Sequence, residues 1–311
     1  MFGNIVDGIV LGCIITLGGL GISYILLLQN YFNFTGGTYF TLGAFITYGL
    51  LEIIPMGSLP FVTFGPGLFL ALILAMISLA IIMTLVDKLL FRPLRQRDAP
   101  FMFFYLTAFG MLFVIRSIIY LIWGADMRRF VSGLPFIYPL PGGINLTANE
   151  IFVVLATALL VAIIYYFQYN TKLGKAMLAT ADNERLAAIT GIKIRNIHTT
   201  VTVIAGLVTA MGGVFYGLVV QLRPLMGFNL LMAMFFAVIC GGHGAILGTF
   251  GAGLLIGLIQ EFGSVFIQIF LDAGDIPIEM SAYKEVLAFI VLIIILLTKP
   301  YGIFQGTFLD R

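Results

Sequence analysis

Long apolar runs separated by short polar breaks make up most of the chain. The runs 5–28, 66–90, 101–123 and 151–169 are each predominantly apolar. A helix needs roughly 20 apolar residues to cross the hydrocarbon core of a bilayer, and these runs have about that length. Their apolar positions are continuous instead of alternating with polar ones, which favours helices over a β-barrel. The pattern therefore predicts an all-α, polytopic membrane protein with about eight or nine membrane segments.

The composition agrees with a bilayer location. Hydrophobic residues make up 61% of the 311 residues and charged residues only 10%, which is far from the composition of a soluble domain. The first apolar run lacks the basic start and the small-residue cleavage site of a removable signal, so we expect it to remain as a membrane helix. We expect residues 1–311 to form a single transmembrane domain.

The positive charges indicate an orientation. Cytoplasmic loops of membrane proteins carry an excess of Lys and Arg, and two short loops here hold nine of the sixteen. Arg128 and Arg129 in the predicted outer connection are a weaker, opposing signal. We therefore predict a multi-pass protein of the cell (plasma or inner) membrane with a cytoplasmic C-terminus. The nine residues are Lys88, Arg92, Arg95 and Arg97 in one loop, and Lys172, Lys175, Arg185, Lys193 and Arg195 in the other.

The same orientation constrains the start of the chain. The run 66–90 enters the first basic loop from outside, so the two apolar runs before it must together end outside. Either these two runs form a full hairpin with the N-terminus outside, or one of them is broken. The sequence leaves both arrangements open.

Two glycine-interrupted segments resemble one another. They are "NFTGGTYFTLGAFITYG" (33–49) and "ICGGHGAILGTFGAGLLIG" (239–257), each with a Gly pair, then Leu-Gly, then a small-residue helix. We predict two broken or re-entrant helices here. Unwound backbone at membrane depth lines a cavity or is buried in protein, so the segments are candidates for a transport path. The alternative is that the glycines only allow close helix packing.

Two charged residues within apolar runs are further candidates for the path. Arg116 and Glu261 each cost at least a few kcal/mol at membrane depth unless they face a partner or water. Arg116 can instead cross-link two helices, and Glu261 can lie close to the outer surface. A lone His at a turn, such as His243, is more often a hydrogen-bonded structural residue than a ligand. The complete set of path candidates is Asn33, Gly36, Gly37, Arg116, Gly241, Gly242, His243, Gly244 and Glu261.

Motifs for catalysis are missing from the sequence. It has no phosphate-binding loop of the G-x-x-x-x-G-K-[ST] type, no H-E-x-x-H zinc motif and no nucleophile elbow. We therefore expect a protein that is not an enzyme, with no catalytic residues, no metal site and no cofactor. A nucleic-acid partner is not expected either.

The stretch "ATADNERLAAITGIKIRN" (179–196) looks like a soluble helix placed between two membrane runs. Asp182 can cap a short helix over 183–190, with Glu184 in its first turn and Gly191 ending it in a left-handed conformation. Leu186 and Ile189 would share one face. A helix this short is marginal alone, so we expect it to dock against a cytoplasmic partner; the alternative is a solvated turn.

The order of these features resembles the permease subunit of the branched-chain (hydrophobic) amino-acid ABC importers. The matching pieces are "NFTGGTYFTLGAF", the block 175–213, "AVICGGHGAILGTFGAGLLIGLIQ" and "LLTKPYGIFQG". The block 175–213 is the most specific part. In the family this block contains a short helix that fits a groove on the ATP-hydrolysing subunit, so the resemblance implies a cytoplasmic coupling loop at about 170–198. Asp182, Ala187, Ala188, Gly191 and Ile192 match the family pattern.

Adding the apolar face and the first turn gives the full set of expected coupling residues: Asp182, Glu184, Leu186, Ala187, Ala188, Ile189, Gly191 and Ile192. The resemblance also implies three protein partners: cytoplasmic ABC ATPase subunits, a second permease of the same or a paralogous chain, and an extracytoplasmic substrate-binding protein. Two departures concern the path. The family's usual Asn-Phe-Ala-His-Gly is 33–37 "NFTGG" here, and its Gly-Gly-Leu/Met-Gly is 241–244 "GGHG".

The function expected from the resemblance is import of branched-chain or other hydrophobic amino acids, driven by separate ATPase subunits. The family also handles urea and short amides, so the substrate stays open. The sequence leaves two other hypotheses. One is a secondary transporter driven by an ion gradient, with Glu261 or Arg116 as the coupling group, and the other is a membrane scaffold without transport activity.

Overall fold

The fold is a bundle of helices with one small hairpin. The computed structural model describes residues 2–29, 31–54, 57, 64–130, 137–140, 144–242, 244–273 and 283–298. The long and short helices are α1 Phe2–Gln29, α2 Gly36–Ile53, α3 Pro66–Val86, α4 Arg92–Gln96, α5 Phe101–Trp123, α6 Ala148–Asn170, α7 Lys172–Asp182, α8 Glu184–Ile189, α9 Ile194–Val219, α10 Met226–Gly241, α11 Ile246–Leu258, α12 Ser264–Ala273 and α13 Lys284–Thr298. Single π-helical turns, Asp87–Phe91 and Ile259–Gly263, join α3 to α4 and α11 to α12.

The prediction of an all-α, polytopic membrane protein is confirmed. Six helical segments are long and apolar enough to cross a bilayer, within the described part of the chain. Three shorter helices, α2, α10 and α13, accompany them. The six are Gly3–Gln29, Pro66–Gln96, Phe101–Trp123, Ala148–Asn170, Ile194–Val219 and Ile246–Ile269.

Helix α1 is the centre of the bundle. Within its most apolar stretch 89% of the residues are buried, against 33% in the segment that contains α3, 28% in α5 and 22% in α6. The helices packed most closely around α1 are α11, α9 and α10. Helices α3, α5 and α6 therefore present much of their apolar surface outward, as helices that face lipid do.

Glycines set how closely the neighbours approach α1. A Cβ added at Gly12 would lie 2.7 Å from the Cα of Leu254 and 2.9 Å from the carbonyl oxygen of Gly253. At Gly8 an added Cβ would lie 3.0 Å from the Cα of Leu258. Lipid chains are as apolar as Leu, so helices in a bilayer associate through such close backbone packing and not through hydrophobic burial.

The ends of α1 and α2 settle the arrangement that the sequence left open. Gln29, the last residue of α1, donates a hydrogen bond to Asp87 Oδ1 at 3.4 Å, so α1 ends beside the first basic loop. The Phe45 ring in α2 lies 5.6 Å from the ring of Trp123, the last residue of α5 and therefore far from that loop. Both runs are complete helices, and the N-terminal end of α1 lies at the opposite end of the bundle from the basic loops.

A β-hairpin in the 124–149 connection was not predicted. Strand β1 Ile137–Leu140 pairs antiparallel with β2 Ile144–Thr147, with Ile137 opposite Thr147. Thr147 then caps α6, because its hydroxyl accepts from the Glu150 N–H while the Glu150 carboxylate accepts from the Thr147 N–H.

Packing around α1 gives a first prediction. We expect Gly12→Val to lower the free energy of unfolding by about 3 kcal/mol, because its side chain would collide with the backbone of α11. The matched control is Gly110→Val in α5, since an added Cβ at Gly110 meets nothing within 4 Å. Thermal melting of both variants in detergent measures the difference. Equal melting temperatures for the two variants would contradict the central position of α1.

Candidate coupling surface and translocation path

The two basic loops come together at one end of the bundle, which we call the basic end and define as residues 87–99 and 171–198. Both Oδ atoms of Asp87 accept hydrogen bonds from one Nη of Arg95, at 2.7 and 2.8 Å. The Asp87 side chain is 9% exposed, so this ion pair is largely shielded from water. The sequence placed both loops on the same side of the membrane, and in the structure they share one end.

Helix α8 is fixed at both of its ends. At its start, the Asn183 side chain accepts a hydrogen bond from the Leu186 N–H at 3.0 Å. The cap is therefore Asn183 and not Asp182, which is the last residue of α7. The displacement by one residue arises because α7 continues through 182 instead of ending in a loop.

The C-terminal end of α8 has the predicted glycine. Gly191 has φ +90°, a conformation that favours glycine. Its N–H donates to the Ala188 carbonyl and the Ile192 N–H donates to the Ala187 carbonyl, both at 3.1 Å, which is the Schellman pattern. These bonds hold a helix that is too short to be stable alone.

The apolar face of α8 is open to the surroundings. Leu186 is 60% exposed and Ile189 is 83% exposed, while Ala187 on the opposite face is buried. Asp182, Glu184 and Gly191 are exposed as well. Ala188 lines a cavity beside the helix, and Ile192 is half-buried. The structure thus presents two large apolar side chains next to each other on a capped, protruding turn.

Helix α8 is linked to α9 through one polar contact. The Glu184 carboxylate lies 3.5 Å from Nε2 of His198, which is buried in α9. The other ring nitrogen of His198 is buried without a hydrogen-bond partner. A cavity of about 560 Å³ beside this contact is lined by both residues together with Gln29 and Arg95.

The first glycine segment begins helix α2. The buried Asn33 side chain accepts hydrogen bonds from the N–H and the hydroxyl of Thr35 and so shapes the turn before α2. An added Cβ at Gly36 would lie 2.7 Å from Ile22 in α1, and Gly37 meets the backbone of Gly227 in α10.

The second glycine segment separates α10 from α11. Gly242 and Gly244 both have positive φ, at 92° and 75°, and Gly241 packs against the backbone of Gly248. His243 lies outside the described residues. The Gly244 N–H donates to the Ser23 hydroxyl at 3.1 Å, which fixes this break to α1.

The two glycine segments approach the same part of α1. Gly36 contacts Ile22, and Gly244 contacts Leu27 about one and a half turns further along the helix. The glycines therefore allow close packing, and both glycine segments lie near one stretch of α1. The role of these glycines in a path remains a prediction.

The two charged path candidates lie apart from this stretch. The Arg116 guanidinium lies 5.7 Å from the Tyr120 ring centroid and 6.0 Å from that of Phe228 in α10, so it joins two helices by cation–π contacts. Glu261 forms an ion pair with Lys284 at 2.6 Å, which connects the π-helical turn to α13.

Several polar residues with partners inside the bundle were not predicted from the sequence. Gln168 is 1% exposed, accepts from the Tyr24 hydroxyl at 2.8 Å and donates to the Gly244 carbonyl at 3.3 Å. Gln168 lies near the end of the apolar run 151–169, and its amide side chain interrupts the apolar pattern there, which is the signal that could have identified it. The Asp87–Arg95 and Glu184–His198 pairs are eight and fourteen residues apart, so neither has the i,i+3 or i,i+4 spacing that predicts a pair on one helix.

Curated proteins similar to this chain are permeases. The chain is 26% identical to "High-affinity branched-chain amino acid transport system permease protein BraD" of Pseudomonas aeruginosa, covering 96% of this chain and 94% of that one. It is 23% identical to the corresponding protein LivH of Escherichia coli (strain K12), with 96% and 93% covered. The "Probable branched-chain amino acid transport permease protein LivH" of Methanocaldococcus jannaschii is 25% identical, with 93% and 88% covered.

A solved structure has a similar fold. It is "PsaBC from Streptococcus pneumoniae in complex with Fab", with a TM-score of 0.50 and 13% identity over 100% of this chain and 95% of that one. This likeness concerns the fold alone. The match to the family described as "Branched-chain amino acid transport system / permease component" covers residues 4–296, and the chain belongs to that family.

Proposed function

We propose that this chain is the membrane-spanning permease subunit of an ABC importer and that α8 transmits the work of separate ATPase subunits. The observation that carries the proposal is the exposed pair Leu186 and Ile189 on a short helix with a cap at each end. Large apolar side chains that protrude from a fixed element suit insertion into a pocket on a partner protein. The coupling loop is residues 170–198 of a single transmembrane domain.

The cargo we propose is branched-chain or other hydrophobic amino acids. Support comes from the names of the relatives and from the family to which the chain belongs. Urea and short amides are the other cargo class to test. Catalysis would belong to the ATPase subunits, and this chain would supply the path.

The arrangement of the two ends suggests where the partners bind. The ATPase subunits would meet the basic end on the cytoplasmic side, together with the C-terminus. A substrate-binding protein would deliver cargo at the opposite end, and a second permease would pack beside this one. The path we propose passes the stretch of α1 near which both glycine segments lie, between Ile22 and Leu27.

The coupling role predicts the effect of charging α8. Leu186→Asp or Ile189→Asp should weaken binding of the ATPase subunits by roughly 30-fold or more, because each places a carboxylate in an apolar contact. The matched control is Asn196→Asp, which adds the same charge at an exposed position of the basic end. Co-purification with the ATPase subunits and cellular uptake measure the two effects.

Membrane insertion should be unchanged in all three variants, since neither Leu186 nor Ile189 belongs to the packed core. Normal uptake by the Leu186→Asp and Ile189→Asp variants would contradict the coupling role. An equal defect in Asn196→Asp would show that added charge, and not the apolar face of α8, is responsible.

The ion-gradient hypothesis predicts a different energy source for uptake, an ion gradient instead of ATP. Both candidate coupling groups are engaged inside the protein, because Glu261 forms an ion pair with Lys284 at 2.6 Å and Arg116 lies against the rings of Tyr120 and Phe228. We therefore expect proteoliposomes that contain this chain alone to show no uptake above empty liposomes under a proton or sodium gradient. Gradient-driven uptake without ATP would refute the ABC importer.

A further inference from the structure

A cavity at the basic end is lined by three cationic side chains that are not among the proposed coupling residues. It has a volume of about 540 Å³ and lies between the segment that follows α3 and the start of α9. Its lining contains no acidic residue. The lining residues are Lys88, Arg92, Arg195, Asn196, Thr199 and Thr200.

The cations of this cavity come from two segments of the chain, Lys88 and Arg92 before α5 and Arg195 in α9. Within the described residues, Lys88, Arg92 and Arg195 take part in no ion pair. An adjoining cavity of about 260 Å³ shares all three and adds the acidic residues Asp87 and Glu184. Both of these have partners inside the protein, because Asp87 binds Arg95 and Glu184 contacts His198. A cluster of unpaired cations in a recess favours an anionic ligand.

An apolar stripe leads along the outside of the bundle to this cluster. Ile77, Ile81 and Leu85 are spaced by four residues on α3 and are about half exposed. Leu89 continues the spacing and is 71% exposed, and it stands beside Lys88 at the end of the membrane-spanning helix. An exposed apolar stripe that ends at unpaired cations matches a molecule with acyl chains and an anionic head.

We propose that this cavity binds the headgroup of an anionic phospholipid in the cytoplasmic leaflet. Lys88, Arg92 and Arg195 would contact the phosphate, and the acyl chains would lie along the stripe of α3. Anionic lipids are concentrated in that leaflet and attract clusters of Lys and Arg next to membrane helices. Free phosphate shares the headgroup chemistry but has no acyl chains to cover the apolar stripe. A phospholipid is therefore the favoured ligand. The proposal does not depend on the transport function.

The test compares lipid retention by the purified full chain. Phosphatidylglycerol and phosphatidylcholine are added in equal amounts in detergent, and bound lipid is counted by native mass spectrometry. We expect the wild type to retain phosphatidylglycerol in preference. The triple variant Lys88→Gln, Arg92→Gln and Arg195→Gln should retain at least about tenfold less, since each cation near an anionic surface contributes to binding.

The matched control removes three exposed cations of the same end that lie outside the cavity, by Lys172→Gln, Lys175→Gln and Lys193→Gln. Its retention of phosphatidylglycerol should stay close to that of the wild type. Equal loss in the two triple variants would overturn the proposal, because general charge would then explain binding.

Two further measurements keep the result decisive. Inorganic phosphate and glycerol phosphate should not displace bound phosphatidylglycerol, and displacement by either would assign the site to a free anion instead. If the triple variant does not fold, the single variant Arg92→Gln replaces it and is tested by thermal melting. Phosphatidylglycerol should raise the melting temperature of the wild type but not that of Arg92→Gln. An equal rise in both would overturn the proposal.

Discussion

Close backbone packing around α1 is the constraint on which the rest of the structure depends. A bilayer provides little hydrophobic drive for helices to associate, so contact must come from surfaces that fit at short range. Gly8 and Gly12 supply that surface toward α11, and Gly21 meets Thr209 of α9 where no larger residue would fit. Once α1 is enclosed, the position of both glycine segments follows, because each packs against its C-terminal third.

The same packing connects the basic end to the interior through a continuous series of contacts. Helix α8 contacts α9 through Glu184 and His198, and α9 contacts α1 through Thr209 and Gly21. Packed helices of this kind shift as rigid bodies between discrete arrangements instead of deforming continuously. In the proposed function, motion imposed on α8 would reach the stretch of α1 beside the two glycine segments through α9.

Much of the fold was predictable from sequence because a bilayer limits the options to helices of a certain length. The apolar runs and the basic loops gave the class and placed both loops at one end, and Gly191 was identified as the end of α8 by its left-handed requirement. The cap was assigned one residue early because Asp182 and Asn183 are both good caps, and only the continuation of α7 decides between them. The partners of Gln168, which are Tyr24 and Gly244, lie in distant segments of the chain and depend on tertiary structure. The eight-residue separation of Asp87 and Arg95 is not a helix-pair spacing.

Labelling of one introduced cysteine tests the central claim most directly. Ile189→Cys places a thiol at a position of α8 that is 83% exposed, and the native Cys13 and Cys240 are buried. We expect a membrane-impermeant maleimide to label residue 189 in inside-out vesicles and not in right-side-out vesicles. Co-expressed ATPase subunits should block that labelling. Labelling from the outside, or labelling unaffected by the ATPase subunits, would contradict the proposed role of α8 as the contact with those subunits.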